Sequence, residues 1–182
     1  ADDRDALGAQ LSVGNGLDQS FVRLGALRSQ LPASLDLMAD VALNPAFPAD
    51  MVELQRKQQL AAIAQQKANP GAAVQRVLPS LLYAPGHPYA APGGGLGNEG
   101  AVAALTRESL AQWHQRWFVP GNATLVAAGD FTLPELVQQL ERSFGDWKGG
   151  PAPAKSVLAS TSPGRGGVPR IDKPGAPPTG IA

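Results

Sequence analysis

Apolar residues at helical spacing, twice interrupted by an Asn-Pro pair, constrain the middle of this chain most strongly. Positions i, i+4, i+7 and i+11 are apolar and predict a first helix with one inward face, formed by Leu31, Leu35, Met38 and Ala42. Asn44-Pro45 ends it, because the residue before a proline disfavours the helical region. A second helix is predicted from Pro48 to about Lys67. Asn69-Pro70 then supplies the N-cap and first-turn proline of a third, whose apolar face is Val74, Val77, Leu78 and Leu81.

Two more helices are predicted later in the chain. Thr106 caps the first, and its apolar face carries Leu110, Trp113 and Trp117, so we expect both tryptophans to be largely buried. Thr132 and Glu135 form a capping box at the start of the second, whose apolar residues are Leu133, Leu136, Val137, Leu140 and Phe144.

Strand patterns flank the helical block. Leu11–Val13 and Phe21–Leu27 are strand-like, and Asn15-Gly16 between them favours a hairpin turn with positive φ. Ala123–Ala128 is an apolar run that predicts a buried strand ending at Gly129-Asp130. Strands separated from a block of helices predict an α+β fold, in which an antiparallel-rich sheet has the helices packed on one face.

Composition limits the function classes. Fifteen basic residues balance fifteen acidic ones, which argues against nucleic acid or a membrane as the partner, because both select basic patches. No apolar run approaches the roughly 20 residues that span a bilayer. The chain has no cysteine, so disulfides, thiolate metal sites and cysteine nucleophiles are excluded.

The domain organisation is predicted from changes in composition. Residues 1–148 form one domain, residues 149–167 are a linker dominated by Gly, Pro, Ser and Ala, and residues 168–182 begin the next domain. Residues 1–8 have the pattern of the end of a helix that stops near Gly8, so we interpret the chain as an excised piece of a longer polypeptide.

A glycine-rich stretch, Gly95 to Gly100, matches the G-x-G-x-x-G pattern of nucleotide-binding loops. That pattern is informative only between a strand and a helix. Here Pro88 and Pro92 precede it in a loop, and no Lys-Ser/Thr follows. A turn-rich connection is the favoured interpretation.

The two histidines do not predict a metal site. His114 lies on the apolar face of its helix and is expected to be a core or edge residue with satisfied ring nitrogens. His87 lies in a loop, where a bond to the backbone is favoured. A metal needs three or four converging ligands, and the serines lack a histidine–carboxylate pair or a G-x-S-x-G elbow. The residues themselves therefore predict no catalytic, cofactor or metal site.

Several segments, in unbroken order over about residues 4–148, resemble the insulinase/pitrilysin family of zinc metallopeptidases. The most specific is Leu105–Asp130 (LTRESLAQWHQRWFVPGNATLVAAGD), which is continued by Glu135–Trp147. The other matching segments are Ala6–Ser12, Leu37–Pro48, Gln55–Gln58 and His87–Tyr89, and Ile171–Pro177 resembles the opening of the next domain of that family.

The resemblance implies a zinc site that this chain lacks. The family binds zinc through an early H-x-x-E-H helix and a distant glutamate, and the corresponding early helix would lie before Ala1. The distant ligand falls at or within about a residue of Ala62. No Asp or Glu occurs between Glu53 and Glu99, so no small error in alignment restores a carboxylate.

Three hypotheses remain open. The first is a non-catalytic domain that helps to enclose peptide for a zinc-bearing companion, which is another domain of the same polypeptide or a homologous subunit, so that zinc is expected only in that companion. The second is part of a competent zinc metalloendopeptidase, and the third is a purely structural assembly subunit. A periplasmic and a cytoplasmic location in a bacterial cell are both compatible with the sequence.

Overall fold

The computed structural model describes residues 6–92 and 94–154. The predicted end of the linker, the start of the next domain and residues 1–5 lie outside the described residues. The elements are β1 (Gln10–Asn15), β2 (Ser20–Gly25), α1 (Leu31–Leu43), α2 (Ala49–Ala68), α3 (Pro70–Leu82), α4 (Glu99–Ala104), α5 (Arg107–Trp117) and α6 (Leu133–Phe144). They belong to two units, residues 6–47 with 110–154 and residues 48–109.

The hairpin of the first unit is confirmed, but its turn differs from the prediction. Strands β1 and β2 pair antiparallel, with Gln10 opposite Gly25 and Asn15 opposite Ser20. The connection therefore has four residues, and the Gly16 N–H donates to the carbonyl oxygen of Gln19 at 2.8 Å. Neither Asn15 nor Gly16 adopts a positive φ, so that expectation was wrong. A four-residue loop does not need the left-handed residues that a two-residue hairpin turn requires.

Helix α1 forms the centre of the first unit, where it packs against β2 and α6. Leu35 and Ala39 are buried on its inward face, beside the fully buried Ser34. The Asp36 carboxylate accepts hydrogen bonds from Arg142 at 2.9 Å and from Ser143 at 2.6 Å, both on α6. The predicted helix and its end at Asn44-Pro45 are thus confirmed.

The capping box at the start of α6 is present as predicted. Thr132 Oγ1 accepts from the Glu135 N–H, and the Glu135 carboxylate accepts from the Thr132 N–H. The apolar face is only partly covered, because Leu133 and Val137 are exposed while Leu136, Leu140 and Phe144 are half-buried.

The predicted buried strand at Ala123–Ala128 is not observed. These residues form no strand, and the side chain of Val126 is 90% exposed. A single parallel bridge, Gly121 to Pro151, precedes the segment. A strand needs a neighbour for its N–H and C=O groups, and no segment within residues 6–92 and 94–154 supplies one. The apolar composition was read correctly, but burial does not follow from composition alone.

The expected burial of both tryptophans on α5 was also wrong in part. Trp113 is 47% exposed, and Trp117 is half-buried. His114 and Phe118 face inward instead, and their rings stack with centroids 4.4 Å apart. The inward face is thus shifted by one residue along the helix from the predicted one. This small change of rotation moves an indole to the surface.

The second unit consists of α2, α3, α4 and the loops between them. Ile63 on α2 is completely buried, and Val102 on α4 is buried near it in this unit. Asn69 caps α3 as predicted, since its Oδ1 accepts from the Ala72 N–H at 3.1 Å. The predicted apolar face of α3 remains partly open, with Val77, Leu78 and Leu81 between 36% and 41% exposed.

No helix in the described part of the chain is long and apolar enough to cross a membrane.

Candidate functional site

The position that the resemblance assigns to a zinc ligand lies in the middle of α2. Ala62 is half-buried there, directly before the fully buried Ile63. Residues three and four positions away share its side of the helix, and all four are glutamines: Gln58, Gln59, Gln65 and Gln66. The surroundings of Ala62 therefore offer neutral carboxamides and no carboxylate.

The two carboxylates that border this interval are held in ion pairs. Glu53 is bonded by Arg56 and lies 3.6 Å from Lys57 Nζ, and the hydrogen bond from Arg56 lowers the pKa of Glu53 below its ordinary value. Glu99 is bonded by Lys67, which lowers the pKa of Glu99 in the same way. Both groups are thus held as anions by neighbouring cations and do not approach Ala62 through any contact in the described residues.

The glycine-rich loop is fastened to α2 and α3 by its carbonyl oxygens. Gln59 Nε2 donates to the Leu96 oxygen at 3.0 Å, and Arg76 Nη2 donates to the Gly97 oxygen at 2.9 Å. A phosphate loop presents N–H groups to its ligand, so the polarity here is opposite. The Asn98 side chain already accepts from the Ala101 N–H at the start of α4. A turn-rich connection is confirmed, with positive φ at Gly94, Gly95 and Gly97.

Both histidines contact backbone groups, which the sequence predicted for His87, while His114 was predicted only as a core or edge residue with satisfied nitrogens. His87 Nδ1 accepts from the Tyr89 N–H at 3.1 Å, and its ring stacks on Tyr83 with centroids 4.7 Å apart. His114 Nε2 lies 2.8 Å from the Ala42 carbonyl oxygen. Because that oxygen can only accept, Nε2 carries the proton. The two rings belong to different units, and each serves as a local packing and capping group.

The described residues do not fit a zinc site. Within residues 6–92 and 94–154 no three His, Asp or Glu side chains converge. The alanine at position 62 has no donor atom, and one nitrogen of each histidine is committed to the backbone.

A cleft in the second unit is lined by charged side chains, of which Glu53 and Arg56 form an ion pair with each other. It has a volume of about 360 Å³ and is lined by α2 residues Ala49, Val52, Glu53 and Arg56 and by residues 105–108. Arg56 is shared between Glu53 and the carbonyl oxygen of Ala103. Its guanidinium therefore stabilises the C-terminal end of α4, where cations are favoured.

Sequence reasoning missed the anchoring of the glycine-rich loop by Gln59 and Arg76. The donors and acceptors are 37 and 21 positions apart in the chain. No local pattern links residues at such distances, so only the packing of α2 against α3 brings them together.

Comparison with known proteins gives the family. Residues 4–90 match the family model described as insulinase (peptidase family M16), and residues 104–181 match the model described as peptidase M16 inactive domain. The chain belongs to peptidase family M16.

Individual M16 relatives are moderately similar in sequence. An uncharacterized zinc protease of Mycobacterium tuberculosis is 31% identical over 141 residues, which is 78% of this chain and 32% of the relative. The chloroplastic stromal processing peptidase of Arabidopsis thaliana is 30% identical over 142 residues, which is 75% of this chain and 10% of that protein. The chain thus spans about a third of the length of the mycobacterial relative.

Solved structures agree with this assignment. A peptidase M16 inactive domain from Pseudomonas fluorescens has a TM-score of 0.77 and 28% identity, and the match covers 85% of this chain and 37% of that one. The first half of a periplasmic protease from Escherichia coli shows the same fold, with a TM-score of 0.69, 15% identity and coverage of 87% and 35%. The α+β M16 fold is therefore shown, and the matches support a non-catalytic M16 half.

Proposed function

We propose that this M16 domain is a non-catalytic wall of a peptide-enclosing chamber and that it works with a zinc-bearing companion. The companion is another domain of the same polypeptide or a homologous subunit. In this proposal the chain itself holds no zinc and cleaves no peptide, and it contributes surface that contacts or confines the substrate.

The observation that carries the proposal is that Ala62, at the position expected for a zinc ligand, is surrounded on its side of α2 by glutamines and by no carboxylate. A zinc peptidase needs three protein ligands that leave one coordination position open, together with a carboxylate to move the proton of the metal-bound water. The helix that should supply the third ligand offers a methyl group and neutral amides instead. The nearest carboxylates along the chain, Glu53 and Glu99, are held by Arg56 and Lys67.

The proposal is tested by a quenched-fluorescent peptide assay. The isolated chain should show no chelator-sensitive turnover, with or without added zinc, because it lacks both the ligand set and the proton-transfer carboxylate. Ala62→Glu should remain inactive, since a single added carboxylate does not complete a three-ligand site. Addition of the zinc-bearing companion should give cleavage that a chelator abolishes.

A matched pair of variants tests whether the folded domain supports cleavage by the companion or is merely present in the reaction. Ile63→Ala removes the completely buried side chain of α2 and should reduce companion-dependent cleavage by disrupting this unit. Ala61→Ser, at an exposed position two residues away, should leave it unchanged. Chelator-sensitive turnover by the isolated chain would contradict the proposal, as would companion activity that is indifferent to Ile63→Ala.

A competent zinc metalloendopeptidase is the second candidate. It is favoured by the names of the mycobacterial relatives, which are called zinc proteases. Its decisive requirement is an H-x-x-E-H helix in the same polypeptide that works with this domain. Chelator-sensitive activity of a polypeptide that contains this domain and that helix, but no second M16 domain, would favour this candidate over the first.

A further inference from the structure

Two consecutive main-chain carbonyls are bound by side chains in the second unit. Leu96 and Gly97 of the glycine-rich loop accept hydrogen bonds from Gln59 and Arg76 at 3.0 and 2.9 Å. The donors lie on α2 and α3, which pack against each other. Both contacts are partly buried, so they are less exposed to competition by water than contacts on the open surface.

The donors are positioned by the helices as well as by the loop. A second guanidinium nitrogen of Arg76 donates to Gln66 Oε1 at 3.1 Å. Gln66 follows Gln59 by two helical turns, so the two amides lie on one side of α2. The contact between Gln66 and Arg76 does not involve the loop, and it orients the guanidinium towards the position that the Gly97 oxygen occupies.

The loop is held through groups that any peptide with a suitable glycine possesses. Gly94, Gly95 and Gly97 have no side chains, and Gly97 has a φ of 71°, which glycine adopts readily and other residues rarely do. The binding therefore depends on two carbonyl oxygens and a left-handed glycine. At the end of the loop, the Lys67–Glu99 ion pair is more than half exposed, and exposed ion pairs are weak.

We propose that Gln59 and Arg76 form a binding site for peptide segments with a glycine-centred turn and that the loop occupies this site as an internal ligand. The proposal rests on the proposed function, because it identifies the surface with which the domain contacts peptide. A peptide that presents Xaa-Gly in the same turn would replace the Leu96 and Gly97 oxygens and displace the loop.

The test is a titration of the isotope-labelled full chain, followed by nuclear magnetic resonance. The probe is a peptide blocked at both ends with the sequence Gly-Gly-Leu-Gly-Asn, which reproduces residues 94–98. It should shift the side-chain resonances of Gln59 and Arg76. In Glu99→Gln the loop loses its ion pair with Lys67, so the probe should bind about 2- to 5-fold more tightly.

Matched controls assign the effect to this site. Gly97→Val should release the loop as a competitor, because valine disfavours the positive φ of Gly97. In that background Gln59→Ala should weaken binding of the probe roughly tenfold, whereas Gln58→Ala, exposed one position away, should not change it. A second probe with valine in place of the glycine that corresponds to Gly97 should also bind roughly tenfold more weakly, because a β-branched residue disfavours positive φ. Circular dichroism of each variant establishes that the helices remain folded.

Equal binding to Gly97→Val with and without Gln59→Ala would overturn the proposal, and so would equal binding of the valine probe. Shifts confined to residues away from Gln59 and Arg76 would also overturn it. Since this experiment needs no companion and no cleavage, it can fail while companion-dependent cleavage succeeds. The reverse outcome would reject the proposed function and leave the peptide site standing.

Discussion

Individual residues of this M16 domain take their roles mainly from a few polar contacts. His114 caps the last turn of α1 through Ala42, and His87 bonds the backbone of Tyr89. The backbone partner of His87 was predicted from the sequence, whereas that of His114 was found only in the structure. Ala62 lies where the family resemblance expects a zinc ligand, and its methyl group and the neighbouring glutamines provide no carboxylate there.

The pH dependence of stability should depend on Glu135. Hydrogen bonds from the Thr132 backbone N–H, then from its hydroxyl, lower the pKa of Glu135 from its ordinary 4.5. The folded pKa lies below the unfolded one, so the stabilisation is complete above pH 4.5 and is lost as the pH falls through the folded value. Glu135→Gln should therefore lose less stability on acidification than the wild type does.

The measurement is the free energy of unfolding in urea at neutral pH and at about pH 3. Gln138→Ala, on the exposed side of the same helix, removes no charge and should retain the wild-type difference between the two conditions. An unchanged difference in Glu135→Gln would show that this carboxylate does not contribute to the acid sensitivity.

Helices were predicted more accurately than strands at the level of the elements. The limits of α1, α2 and α3 follow from Asn-Pro pairs and caps, which act on neighbouring residues and can be read locally. Ala123–Ala128 has the composition of a buried strand, but a strand exists only when a second segment pairs with it. The described residues provide no such segment, and Leu125 and Val126 remain exposed.

Removal of the N-cap of α6 should lower the free energy of unfolding by a measurable amount. Thr132→Ala eliminates the side-chain oxygen that accepts from the Glu135 N–H, so the free energy of unfolding should fall by about 1 kcal/mol. Thr124→Ala is the same substitution on an exposed side chain and should change it by less than about 0.5 kcal/mol. Urea unfolding of the two variants compares them directly, and equal effects would contradict a capping role for Thr132.

Amide hydrogen exchange should distinguish the segment Thr124–Ala128 from the helices. The amides of Thr124–Ala128 have no backbone partner among the described residues, so they should exchange within about tenfold of the rate in an unstructured peptide. Amides in the middle of α1, next to the buried Leu35, should exchange far more slowly. Strong protection of Thr124–Ala128 in the isolated chain would mean that the segment is paired.

The molecule as a whole combines two units with an M16 fold that spans about a third of its mycobacterial relative. Charged groups are paired within each unit, as in Arg28 with Asp130 and Lys67 with Glu99. The inactive-domain match supports a non-catalytic M16 half, and the chamber remains our proposal.

Metal content provides a test for the entire chain. After dialysis against micromolar zinc and then against metal-free buffer, the untagged protein should retain far less than an equimolar amount of zinc. The reason is that tight zinc binding needs three or four converging ligands, and no three His, Asp or Glu side chains converge in the described residues. Elemental analysis measures the zinc retained per chain, and one zinc per chain would disprove the proposal that this chain, with Ala62 at the expected ligand position, holds no zinc. Ala62→Glu provides the comparison and should retain no more zinc than the wild type.

The sequence by itself predicted α1, α2, α3, α5 and α6, the caps at Asn69, Thr106 and Thr132, the hairpin, and the lack of any Asp or Glu between Glu53 and Glu99, but it did not predict α4. Each of the predicted features depends on residues a few positions apart or on composition alone. Only the tertiary structure decided which face of α5 turns inward, since a rotation by one residue exposes Trp113 and places the half-buried His114 and Phe118 on the inward side instead. It also decided that Gln59 and Arg76 hold the glycine-rich loop. Those contacts join residues far apart in the chain, and the free energy of such packing depends on partners that no local pattern specifies.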